Sequence, residues 1–203
     1  MEKGTAINKF ELVVIGGSAG SLEVILEILP LLKSDLDYAI LLVMHRRGGD
    51  SLLTGLLSDR TKLEVKEVEE KEAIRPGVIY IAPADYHLLV EHDKTFSLDF
   101  SEKIHYSRPA IDASFETAAE AYGATLGAIL LSGANADGAE GLLQIKVAGG
   151  LTIVQDPEEA TVGYMPQQAI DKNAAIKILK TRQIIGMLNE LNQTIMPGFP
   201  SRN

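Results

Sequence analysis

The chain has 203 residues, 46% of them hydrophobic, which suits one large domain or two small ones with a sizeable core. It has no cysteine, which excludes a disulfide framework and thiolate chemistry. A net charge of −9 and an isoelectric point near 5.0, with no basic run, argue against nucleic acid or an anionic membrane surface as a partner.

The opening MEKGTAINKF lacks the apolar stretch of a signal peptide. The apolar runs fall far short of the roughly 20 residues that span a bilayer. No membrane insertion and a cytoplasmic location are therefore expected. Leu12 to Gly16 reads as a buried strand, and Ser21 to Leu32 carries apolar residues at helical spacing. Tyr38 to Met44 is a second buried strand, and Ser51 to Ser58 a helix with four leucines to one side. Leu63 to Val68 alternates apolar and charged residues, as a half-exposed strand does, and Glu67 to Glu72 reads as a solvated connector. Val78 to Ala82, His87 to Glu91 and Phe96 to Phe100 read as an antiparallel excursion of short strands, punctuated by Pro83 and the His92-Asp93-Lys94 tip.

Ile111 to Tyr122 is an alanine-rich helix, Leu126 to Leu131 a strand, Asp137 to Ala148 a helix and Leu151 to Gln155 a strand. A short helix is expected after Pro166, an amphipathic one over Thr181 to Asn192, and a frayed tail over Pro197 to Asn203. Strand–helix alternation with buried, non-alternating strands predicts an α/β fold: a doubly wound, mostly parallel sheet. No repeat or interdomain linker is visible, so one domain is expected over 11–195, with a lead-in over 1–10 and a tail over 196–203.

The stretch VVIGGSAGSLEVIL, Val13 to Leu26, places a lone serine in the bend between the first strand and helix. Ligand sites in open α/β sheets lie beyond the carboxyl ends of the strands. Three roles compete for Ser18: helix cap, part of a phosphate cradle, and nucleophile. The P-loop pattern fails for want of its lysine, and the dinucleotide fingerprint fails at its fixed glycines. Phosphate binding at the helix N-terminus, and with it a nucleotide-binding switch, then rests on the glycine turn alone. Gly16 to Gly20 fits G-x-S-x-G, a turn that projects a hydroxyl and aims backbone N–H groups at a developing oxyanion.

A serine nucleophile needs a base, usually histidine oriented by a carboxylate. Of the four histidines, His45 directly follows the second strand and so shares a rim with Ser18. His92 reads as a solvated hairpin tip, and His87 and His105 as structural residues around the excursion. In LLSGANADGAEGL, Leu130 to Leu142, Asp137 stands at a helix start on the same kind of rim, either as a helix N-cap or as the carboxylate partner of His45. The chain order would be Ser, His, Asp, unlike the α/β-hydrolases. No ligand spacing for a metal appears, and no cofactor is expected.

These residues sit within a series of ordered motifs: VVIGGSAGS, LLVMH, PGVIYIAPADYHLLV, SRPAIDASFETAAEAYG, ILLSGANADGAEGL and AGGLTIVQDPEEATVGYMPQQAI. Over Leu12 to Ile170 the chain resembles the catalytic domain of the chemotaxis protein-glutamate methylesterase (CheB) family. The resemblance implies a three-layer α/β/α domain with an antiparallel hairpin. It implies a hydrolase of glutamate methyl esters on the cytoplasmic helices of chemoreceptors, releasing methanol. It matches the family's catalytic serine, histidine and aspartate to Ser18, His45 and Asp137, and the family's oxyanion-stabilising backbone to the segment around Ala134; in the mechanism expected here, N–H groups near Ala19 and Ala134 hold the oxyanion. His87, Arg108 and Asp112 fall in family motifs without an assigned catalytic part, and loop anchoring is expected of Arg108 and Asp112.

The chain also departs from the family. Ala19 stands where a threonine is usual, so a hydroxyl near the site is missing. Ala134 replaces a methionine, which alters the pocket's shape. Arg46 and Arg47 follow His45 where a less basic, proline-containing continuation is usual; they would attract acidic receptor surfaces or simply be solvated. No attached N-terminal receiver domain is expected, and regulation through a separate receiver or another signalling protein is expected instead. The competing reading is a non-catalytic, esterase-like binding module in a chemosensory assembly.

Overall fold

The computed structural model describes residues 9–46, 52–104 and 107–191. His105, Arg47 and the expected tail lie outside them. Six consecutive buried residues, Leu12–Gly17, form β1, and a further six, Ala39–Met44, form β2. Strands this uniformly apolar must be covered on both faces, and both are. Val13 and Ile15 point into a core shared with Ile25 and Ile28 of α1 (Ser21–Ile28) and Ile184 and Leu188 of α6 (Thr181–Leu191). Leu12 and Val14 point into a second core with Phe115 and Ala118 of α3 (Ile111–Tyr122) and Leu142 of α4 (Ala139–Val147). The result is the expected three-layer α/β/α arrangement.

Seven strands form one parallel sheet in the order β3-β4-β2-β1-β7-β8-β9. The remaining members are β3 (Glu64–Glu67), β4 (Val78–Ile81), β7 (Leu126–Leu130), β8 (Leu151–Gln155) and β9 (Lys177–Leu179). The chain winds outward from β1 in both directions, so the crevice where a ligand site is expected lies beside the carboxyl end of β1. A separate antiparallel hairpin, β5 (His87–Val90) with β6 (Phe96–Asp99), packs against α3 through Leu88, Val90 and Phe96. Helix α2 (Leu52–Ser58) covers the β3 side, and α5 (Tyr164–Asp171) follows β8.

Three local expectations are corrected. Val78–Ile81 does not belong to the antiparallel excursion; it pairs in parallel with β2 and β3, because its four residues are all buried and need cover on both faces. The helix expected after Pro166 begins at Tyr164, placing Pro166 in its first turn, where the missing N–H has no intrahelical partner to lose. Strand β9 adds an edge that the sequence pattern does not show: three residues carry too short a pattern to read.

Candidate active site

The ladder of β1 and β2 runs from Leu12↔Ala39 to Gly17↔Met44 and is prolonged by the His45 N–H donating to Gly17 O at 3.2 Å. The next residues in register are Ser18 and His45. On the other side of β1, the Ser18 N–H donates to Ser132 O at 2.9 Å, just beyond β7. Ser18 therefore stands at the carboxyl end of the central strand, between the rims of β2 and β7. The chain then turns sharply. Ser21 N–H and Oγ both donate to Ser18 O, at 3.0 and 2.7 Å. Gly20 between them adopts φ 81° and ψ −4°, the left-handed third position of a type II turn. A Cβ there would also lie 2.6 Å from Thr161 Cβ and 2.8 Å from Ser132 Oγ. The Ser18 hydroxyl itself makes no protein hydrogen bond among the described residues, and the α1 N-cap is Gly20 without a side-chain cap. The geometry thus gives no support to Ser18 as a capping serine.

His45 directs Nε2 to Asp137 Oδ2 at 2.7 Å. Asp137 is 1% exposed and does not cap the helix that follows it; α4 starts at Ala139 after a left-handed Gly138. Its carboxylate instead faces the N-terminus of α3, taking the Ile111 N–H on Oδ2 at 2.8 Å and the Asp112 N–H on Oδ1 at 2.9 Å. Burial pushes the Asp137 carboxyl up, but the bond to His45 and those two N–H groups outweigh it and hold the group below the usual carboxylate range. The ionised carboxylate only accepts, so Nε2 carries a proton, and in the neutral ring the lone pair lies on Nδ1. Nδ1 faces the Ser107 hydroxyl at 3.4 Å. No hydrogen bond joins Ser18 to His45.

A further donor at the α3 N-terminus, Ala110 N–H, reaches Nδ1 of buried His87 at 3.2 Å, and His87 Nε2 donates to Glu102 O at 2.9 Å. His87 is thus a structural brace that aims α3 at Asp137. Arg108 anchors the same loop, stacking over Phe100 with 4.1 Å from its guanidinium carbon to the ring centre and donating to Ser101 O at 2.7 Å. Asp112 is buried and accepts the Gly141 N–H of α4 at 2.7 Å.

Ala19 and Ala134 are exposed at the same rim, in turns stitched together by buried Ser132. Its hydroxyl donates to Ala19 O at 2.6 Å and accepts from Val162 N–H at 2.9 Å, while its own N–H is held by Gln155 at 3.0 Å. The Ala19 and Ala134 N–H groups bond no protein acceptor among the described residues, which leaves them available as donors. Arg46 corrects the reading of a solvated or receptor-facing cation: it pairs with Glu67 and donates to Ala82 O at 3.2 Å, its side chain only 10% exposed. His92 is exposed at the hairpin tip. Nothing in the sequence sets Ser107 and Ser132 apart. Both lie in the family-like motifs, but nothing local marks a serine that touches a histidine 62 residues away.

Among the described residues no group of three or more His, Asp or Glu side chains is arranged to hold a metal, and no helix is long and apolar enough to cross a membrane. The arrangement offers a hydroxyl, an imidazole with its tautomer set by a buried carboxylate, and free backbone donors, the components of acyl transfer.

Comparison with known proteins agrees with that chemistry. The family model described as CheB methylesterase matches residues 13–188. A relative from Leptospira interrogans, named a putative protein-glutamate methylesterase/protein-glutamine glutaminase, is 42% identical over 185 residues, covering 91% of this chain and 96% of its own length. A Thermotoga maritima protein-glutamate methylesterase/protein-glutamine glutaminase is 36% identical over 89% of this chain, which spans 54% of that longer protein. The crystal structure of the Thermotoga maritima CheB methylesterase catalytic domain superposes with a TM-score of 0.85 at 36% identity, covering 91% of this chain and all of that one.

Proposed function

The chain belongs to the CheB methylesterase family, and on that premise we propose that it hydrolyses glutamate γ-methyl esters on the cytoplasmic helices of chemoreceptors by a Ser-His-Asp mechanism. His45 Nδ1 takes the proton of Ser18 Oγ as the oxygen attacks the ester carbonyl. The N–H groups of Ala19 and Ala134 hold the oxyanion, and Asp137 stabilises the imidazolium. Methanol leaves with the proton returned by His45. Water, deprotonated by the same nitrogen, then cleaves the glutamyl-serine ester to give the receptor's glutamate side chain, and His45 returns the proton to Ser18. The relatives' second named activity, glutaminase, follows the same course with ammonia as the leaving group.

The observation that carries this reading is the 2.7 Å His45–Asp137 bond, made where Ser18 is the next residue in register on the neighbouring strand. Adjacent strands lie about 4.8 Å apart, which puts the Ser18 and His45 side chains near one another, and such contacts are often loose without substrate. Residues 11–195 act in this scheme as one catalytic unit. The alternative, an esterase-like binding module, draws on Ala19, Ala134 and the missing Ser18–His45 bond. Purified protein incubated with methylated receptor distinguishes the two. The esterase releases methanol, and Ser18→Ala abolishes release. Full release by a well-folded Ser18→Ala protein overturns the mechanism. Receptor binding without turnover, unaffected by His45→Ala, selects the binding module.

A further inference from the structure

The N-termini of α3 and α4 are clasped crosswise by two aspartates. Asp137, two residues before α4, receives the Ile111 and Asp112 N–H groups that open α3. Asp112, in the first turn of α3, receives the Gly141 N–H of α4 at 2.7 Å. The helices can approach this closely because residue 141 is glycine: a Cβ there would lie 2.6 Å from Phe115 Cβ and 2.9 Å from Asp112 O. The turn that carries Asp137 is thereby pinned from its far side.

A clasp needs only an acceptor, which asparagine would supply without charge. Yet the chain buries a second carboxylate beside Asp137. Burial, then the neighbouring charges of Asp137 and of Glu116 on its own helix, push the Asp112 carboxyl up to about 6 against the pull of the Gly141 N–H. Across the helix interface Glu140 is already paired with Lys172 at 2.9 Å, and on β5 His87 is spent on Ala110 and Glu102. Like charges this close destabilise the fold, so a role beyond capping is indicated.

We propose that Asp112 is a positioning residue of the site: through Gly141 it fixes the turn bearing Asp137, and its charge reinforces Asp137 in stabilising the imidazolium formed on His45. The catalytic part rests on the esterase reading above.

Asp112→Asn keeps the acceptor and removes the charge; Asp112→Ala removes both. Asp112→Asn is expected to melt at or above the parent temperature at pH 8, and Asp112→Ala several degrees below Asp112→Asn. In Asp112→Asn, kcat falls about 3–10-fold with KM within about twofold, and the acid limb of the kcat/KM profile moves down by about 0.5–1 pH unit. Independently of turnover, carbon NMR of the Asp112 carboxyl should titrate near 6 in the parent and at lower pH in Asp137→Asn. An Asp112→Asn profile superimposable on the parent's, or an Asp112 titration unmoved by Asp137→Asn, overturns the charge role. Equal melting of the Asn and Ala variants overturns the clasp. If the parent releases no methanol, the esterase reading fails while the NMR and melting results still judge the coupling and the clasp.

Discussion

Replacing Asp137 by asparagine tests the site and its scaffold together. The carboxylate accepts three hydrogen bonds: from His45 and Ile111 on Oδ2, and from Asp112 on Oδ1. An amide has one acceptor oxygen. Turned to keep His45 and Ile111, it points its NH2 at the Asp112 N–H; turned the other way, it faces the Ile111 N–H donor to donor. Either orientation leaves one buried N–H unsatisfied, about 1–3 kcal/mol. Loss of the anion at the α3 N-terminus adds about 0.3–1 kcal/mol. A total of about 1.3–4 kcal/mol corresponds to a melting decrease of about 3–15 °C for a chain of this size.

The pH dependence has a definite sign. Asp137 is depressed in the fold, so its stabilisation is present above the usual carboxylate range, near 3.9, and is lost as pH falls through the lower folded value. Asp112 is raised to about 6, so its ionisation above that pH opposes folding, in part because Asp137 is charged. Asp137→Asn relieves that repulsion at pH 8 but has none to relieve at pH 5. The melting decrease should therefore be larger at pH 5 than at pH 8, as followed by circular dichroism at both pH values. In the second amide orientation the NH2 donates to His45 Nε2 and drives the proton onto Nδ1, the nitrogen that must accept from Ser18. A wrong tautomer in a comparable triad costs about 10⁴ in kcat, and methanol release should fall by that order. Melting within 1 °C of the parent at pH 5, together with kcat within about tenfold, would refute the reasoning.

Two further outcomes follow from the same geometry. Gly20→Ala forces a left-handed φ of 81° on a residue with a Cβ and drives that atom to within 2.6 Å of Thr161 Cβ, so the turn behind Ser18 should shift. The expected loss is about 1–3 kcal/mol in denaturant unfolding, with methanol release falling by more than unfolding alone explains; unchanged stability would show that the turn can relax. Ser107→Ala removes the hydroxyl 3.4 Å from Nδ1, a long contact that must yield to Ser18 during attack. Its kcat should change by no more than about fivefold, within the roughly 1 kcal/mol of one modest hydrogen bond, and a loss of a hundredfold or more would make Ser107 part of the catalytic machinery.

Much of the fold was legible because its signals are local. Uniformly apolar runs such as Leu12–Gly17 and Ala39–Met44 can be satisfied only in a sheet covered on both faces. The bend at Gly20 was readable because glycine is the residue that occupies a left-handed turn without strain. Ser18 and His45 could be set on one rim because each directly follows such a run. Strand pairing was not readable where patterns were short. Val78–Ile81 joined the parallel sheet because it slots between β2 and β3, 39 and 14 residues back in the chain, as in Leu42↔Ile81 and Glu67↔Ile81, while its side chains enter the two cores alternately.

The sequence by itself determined the strand–helix alternation, the glycine bend and the presence of a serine, a histidine and an aspartate at strand or helix ends. Those features depend on side-chain periodicity and backbone freedom within a few residues. Only the tertiary structure decided what each polar group bonds to. Asp137 stands next to α4 yet serves the N-terminus of α3, and Asp112 on α3 serves α4 in return. His87 spends both nitrogens on backbone, and Arg46 is taken by Glu67 and Ala82. Buried donors and acceptors must find partners wherever packing brings them, and packing joins residues that sequence spacing keeps apart.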